Sequence, residues 1–214
     1  MSVKSAVKGG RAYSTKLRQE QAQLTRRRIL DAARVLFVRS GYPDVTMQEI
    51  AREAAVAYQT LYAQFGSKLQ LAVELCESEF PHVGPTVGIL VAARGQGDPV
   101  AWLELMGSFA RRLYEPCAEI LRFMRESGDP QLLERYREIG RGRLELLQDL
   151  GRQLESSGRL RPGLTGRQAV DLVWSLAGPE LYEDLVLDRG WTTEEFERTL
   201  GPSLKQLLLL DPKA

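Results

Sequence analysis

Histidine occurs once in this chain and cysteine twice, and each scarcity removes a class of chemistry. A lone histidine cannot supply a multi-histidine metal centre, and it has no companions for acid–base or nucleophilic catalysis. His82, beside Pro81, reads as a loop residue. Cys76 and Cys117 show neither a disulfide framework nor zinc-ligand spacing, so they read as reduced, small apolar side chains. No nucleophile elbow or phosphate-cradling loop is present. The sequence therefore leads us to expect no enzyme, no metal and no cofactor. Apolar runs are too short to span a bilayer, and none follows the N-terminal basic residues as a secretory signal would. We expect no membrane partner and a cytoplasmic location. No stretch alternates long enough to build a sheet, and no fixed-period repeat appears.

What is abundant is helical patterning within a 43% hydrophobic composition. The spacing predicts an all-α protein of about nine or ten helices. The net charge of +1 conceals an asymmetry: residues 1–75 hold 12 Lys and Arg against 6 Asp and Glu, and residues 76–214 hold 17 against 22. A basic front suits a polyanion, although a solvated basic face accounts for such a bias equally well. Residues 1–19, with Gly9-Gly10 and scattered lysines and arginines, read as a flexible basic arm. A helix begins near Gln21, carries Ile29, Ala33, Leu36 and Phe37 on one face, and ends at Gly41 before Pro43.

Thr46 with Glu49 forms a capping box that starts a short helix at 47–53, and a second short helix follows at 57–65. In that second helix Leu61 and Phe65 share the inward face, leaving Gln59 and Ala63 outward, flanked by Thr60 and Tyr62. Two short helices joined tightly, the second polar outside, are the layout of a helix-turn-helix. Gln59 has the amide for a two-point contact with adenine, and the Ala63 methyl suits a thymine methyl. Thr60, Tyr62, Thr46 and Gln48 are placed for phosphate, as is Lys68 in the first turn of the next helix.

Residues 25–72, TRRRILDAARVLFVRSGYPDVTMQEIAREAAVAYQTLYAQFGSKLQLA, resemble the DNA-binding domain of the tetracycline-repressor (TetR) family. The likeness rests on ILDAARVLFVRSGY, then T-x-x-x-IA-x-x-A, then V-x-x-x-TLY-x-x-F-x-SK-x-x-L. It covers about a quarter of the chain; WSLAGPELYEDL and RGWTTEEFERTL are looser echoes. The resemblance implies a homodimeric bacterial repressor on a palindromic double-stranded operator, released by a small-molecule effector. It places Thr46, Gln48, Tyr58, Gln59, Thr60, Tyr62, Gln64 and Lys68 where relatives touch DNA. Three departures stand out: Ala55 where the turn usually has glycine, Ala57 where the second helix usually has a capping residue, and Leu69 where an acidic residue is common.

The expected organisation is thus an arm at 1–19, a helix-turn-helix domain at 20–70 and a helical ligand-binding and dimerisation domain at 71–214. In the last, Val170, Val173, Trp174 and Ala177 form one stripe and Leu200, Leu204, Leu207 and Leu208 another, which we expect to build the dimer interface. Trp102, Met106, Phe109, Phe123, Met124, Tyr136 and Trp174 are candidates for a pocket suited to an apolar or aromatic effector, or equally for plain core. An activator, a ligand-independent regulator and an all-α protein-interaction module are the competing readings.

Overall fold

The computed structural model describes residues 8–78, 80, 83–94 and 98–210, and among them every regular element is helical apart from one isolated bridge between Leu160 and Leu209. The first seven residues of the expected arm, and His82, lie outside the described residues. Helix α1 runs Lys8–Ser40, so most of the segment expected to be a flexible arm is instead the start of this helix. Once a helix is nucleated, extending it costs little, and Lys, Arg, Leu, Gln and Glu over 16–23 all favour it. Side chains 16–24 of this extension are exposed. Gly41, at φ +79°, ends the helix with its N–H on the Phe37 carbonyl.

Helix α2 (Met47–Glu53), α3 (Tyr58–Phe65) and α4 (Lys68–Ser78) follow. Ile29, Ala33, Leu36 and Phe37 of α1 are buried with Ile50, Leu61, Phe65 and Leu71, the core that the spacing of each helix dictates. Arg26 ties the group together: it pairs with Glu74 and lies 4.6 Å over the Phe65 ring. The chain divides into two compact units between Leu75 and Cys76, within α4 rather than near its start.

The second unit contains α5 (Val83–Arg94), α6 (Pro99–Tyr114), α7 (Ala118–Glu126), α8 (Pro130–Ser156), α9 (Gly166–Leu176), α10 (Pro179–Tyr182), a π-helical segment (Glu183–Asp188) and α11 (Thr193–Leu208). Asp98 and Asp129 cap α6 and α8, while Thr165 with Gln168 and Thr192 with Glu195 form capping boxes for α9 and α11. Two glycine contacts set the layering. A Cβ on Gly107 of α6 would lie 2.1 Å from the Glu197 carbonyl oxygen of α11. A Cβ on Gly166 of α9 would lie 2.4 Å from the Gly151 oxygen of α8. Only glycine permits backbones to approach so closely, and α11 is thereby laid on α6 and α9 on α8.

Candidate nucleic-acid interface

The turn between α2 and α3 is fixed by backbone geometry. The Ala55 N–H donates to the Arg52 carbonyl and the Val56 N–H to the Ala51 carbonyl, a Schellman closure of α2. Its pivot, Ala55, holds φ +50°, in the left-handed region where the usual residue is glycine. Arg28 of α1 secures this turn by donating to the Ala54 carbonyl at 2.6 Å and the Ala55 carbonyl at 3.1 Å. Sequence reasoning missed Arg28, because nothing in local spacing connects residues so far apart.

The capping box that starts α2 is complete. The Glu49 N–H donates to Thr46 Oγ1 at 3.2 Å, and the Thr46 N–H and hydroxyl each donate to Glu49 Oε2 at 2.8 Å. These bonds hold the Glu49 carboxyl below its ordinary range. They also commit the single hydroxyl proton of Thr46, the candidate phosphate donor, to an internal carboxylate. Gln48 is exposed beside it.

On α3, Leu61 and Phe65 are buried, whereas Gln59, Thr60, Tyr62 and Ala63 are exposed on one continuous face. Tyr58 is exposed at the flank, its ring 6.0 Å from that of Tyr62. Gln64, expected at the DNA by resemblance, has its Oε1 enclosed without a hydrogen-bond partner among the described residues, so its carbonyl end turns towards the protein. Ala57 gives α3 no side-chain cap, which leaves the first N–H groups of the helix open to an anion.

Lys68 lies otherwise than expected. Its ammonium donates to the carbonyls of Tyr42 at 2.8 Å, Val45 at 2.9 Å and Pro43 at 3.3 Å, and lies 4.4 Å over the Tyr42 ring. All three donors of the ammonium are thus spent on the loop that delivers Thr46 and Gln48. Desolvation lowers its pKa, with Asp44 offsetting part of the shift. Lys68 staples the α1–α2 loop; its charge is not aimed at a phosphate.

In the second unit, Trp102, Met106, Phe109, Phe123 and Met124 are buried. The Trp102 indole N–H has no acceptor among the described residues. Tyr136 and Trp174, by contrast, line an open cleft. The expected dimer stripes need correction. Val170, Val173, Ala177, Leu200, Leu204 and Leu208 are buried within the protomer, and Trp174 is half-buried; only Leu207 is an exposed apolar side chain. The glycine contacts bring α9 onto α8 and α11 onto α6. An apolar groove adjoins them, lined by Leu200 and Leu204 of the second stripe together with Leu176, Leu181, Leu185 and Trp191. Among the described residues no group of three or more His, Cys, Asp and Glu could hold a metal ion, and no helix is long and apolar enough to cross a membrane.

Residues 29–75 match the profile of the bacterial regulatory proteins of the tetR family. The HTH-type transcriptional regulator TtgW of Pseudomonas putida is 45% identical over 51 residues, 24% of this chain and 38% of that protein. The HTH-type transcriptional repressor KstR of Rhodococcus jostii is 43% identical over 58 residues, 27% of each chain. The chain thus spans about four tenths of the first of these relatives and about a quarter of the second. Among solved structures, native NalD, the secondary repressor of the MexAB-OprM multidrug efflux pump in Pseudomonas aeruginosa, superposes with a TM-score of 0.66. It shares 26% identity, over 89% of this chain and 99% of that one.

Proposed function

Because this chain carries the DNA-binding domain of the tetR family of bacterial regulatory proteins, we propose that it is a dimeric, sequence-specific transcriptional repressor of the bacterial cytoplasm, released from its operator by a small ligand. The observation that carries this reading is the outer face of α3. It presents Gln59, Thr60, Tyr62 and Ala63 together, and it is anchored beneath by Leu61 and Phe65 and at its start by the Arg28-bound turn. A rigid helix with a small residue at its centre approaches the major groove closely. Gln59 then reads an adenine edge, Ala63 meets a thymine methyl, and Thr60, Tyr62 and Tyr58 reach phosphates. Gln48 and the open N–H groups at the start of α3 add phosphate contacts.

Two such helices read a palindrome when a two-fold dimer sets their separation. The apolar groove beside α11 supports that assembly, with exposed Leu207 extending it. The buried, unpartnered Trp102 N–H supports a ligand within the second unit. A ligand that favours a dimer arrangement mismatched to the two half-sites shifts the population away from DNA. The efflux-pump repressor NalD and the repressor KstR, similar in their own ways, support repression as the sign of control.

The test is selection of bound duplexes from a random DNA pool, followed by affinity measurements across a salt series. A recovered palindrome with steep salt dependence establishes the reading, since phosphate neutralisation releases counterions. No enriched sequence and salt-insensitive binding would overturn it.

A further inference from the structure

The DNA reading leaves unused a cleft of about 330 Å³ between α8 and the α9–α10 corner. Tyr136, Trp174 and Pro179 form apolar parts of its lining, and Arg137, Arg141, Arg143 and Glu180 supply its charge. Most arginines near it are already matched: Arg141 pairs with Glu134 at 2.8 Å, and Arg125 with Glu183 at 2.6 Å. Glu180 is engaged too, accepting the Tyr136 hydroxyl and lying 4.0 Å from Arg125.

Arg143 differs. Among the described residues no carboxylate lies within ion-pair distance of its half-buried guanidinium. Its Nη2 donates to the Trp174 carbonyl at 2.7 Å and the Ala177 carbonyl at 3.4 Å, and the group lies 5.3 Å from the Trp174 ring. Trp174 is in turn held by its indole N–H on the Gly140 carbonyl at 3.1 Å. A guanidinium fixed by carbonyls and an aromatic face, part-dehydrated and out of ion-pair contact, is a preorganised receptor for a planar anion. The adjoining aromatic walls suit an apolar ring.

We propose that this cleft binds a small aromatic carboxylate, its carboxylate on Arg143 and its ring against Tyr136 and Trp174. The inference stands apart from the DNA reading, because it concerns binding to the protein alone.

The experiment is calorimetric titration of the full chain, without DNA, using 1-naphthoate and benzoate as probes and 1-naphthamide as the uncharged counterpart of the first. Two variants accompany it. Arg143→Gln removes the cation. Gly140→Leu fills the cleft while leaving Arg143 in place; a Cβ at Gly140 would stand 3.7 Å from the Trp174 ring, an ordinary contact. Leucine also favours a helix interior over glycine, so this variant keeps its fold, which its circular dichroism melt verifies. Saturable binding of a carboxylate probe is expected, weakened about tenfold or more for the amide, as loss of a charged hydrogen bond implies. It should be lost in both variants. No saturable binding of either carboxylate, equal affinity for 1-naphthamide, or undiminished binding to folded Gly140→Leu would each overturn the proposal.

Discussion

At the residue scale, Ala55 and Lys68 show two kinds of constraint. Ala55 holds a left-handed backbone that costs a Cβ-bearing residue strain. Ala55→Gly relieves it, against a larger loss of unfolded-chain entropy, for a net gain of about 0.5–1 kcal/mol. A rise in the urea midpoint with unchanged operator affinity is the expected result. This site was legible in the sequence through the family resemblance, in which glycine usually occupies the turn. Lys68 was not legible in the same way: its position at a helix start suggests phosphate, but its three carbonyl partners come from a loop more than twenty residues earlier. Lys68→Met keeps the aliphatic stem and removes the staple. The N-terminal unit should lose about 1.5–3 kcal/mol, the scale of hydrogen bonds to a charged donor. Operator affinity should fall with the loosened loop while its salt slope stays constant. A slope smaller by about one would return Lys68 to the phosphate contacts.

Among the elements, the three capping boxes differ in a way that pH exposes. Glu49 and Glu195 are held below the ordinary value of 4.5 by hydrogen bonds from Thr46 and Thr192, whereas Gln168 in the third box does not titrate. A carboxyl lowered on folding contributes stability that is full above its unfolded value and is lost as pH falls through the folded one. Acid titration down to about pH 3 should therefore loosen the starts of α2 and α11 but spare that of α9. Hydrogen exchange at the first-turn amides of the three helices measures this; equal acid sensitivity at all three starts would contradict the assignment. The start of α2 was plain in the sequence because its cap acts locally. The glycine contacts were not: Gly107 reads only as a weak helix residue until α11 is laid across it. Gly107→Ala must push the two helices apart, and a loss of about 1–3 kcal/mol is expected in denaturant unfolding.

For the whole molecule, the difficulty is that an apolar stripe does not name its partner. Val173 and Leu204 have the periodicity of an interface, and both are fully enclosed within one protomer. Leu204→Ala should accordingly cost about 2–5 kcal/mol in unfolding, whatever the assembly state. The surface we propose for a second copy is the adjacent groove, where Leu185 is half-buried, together with Leu207 of α11, which is 42% exposed. A carboxylate at either position remains solvated in a lone protomer but is desolvated, and opposed by its symmetry mate, in a two-fold interface. The double variant Leu185→Glu, Leu207→Asp should keep its helical content and thermal transition while its sedimentation mass falls from dimer to monomer. Its operator affinity should fall as well, since one domain on one half-site forgoes half the phosphate contacts and so also shows a shallower salt slope. A variant that stays dimeric would place the interface on another face of the second unit. A monomeric variant that keeps full operator affinity would sever dimerisation from DNA reading altogether.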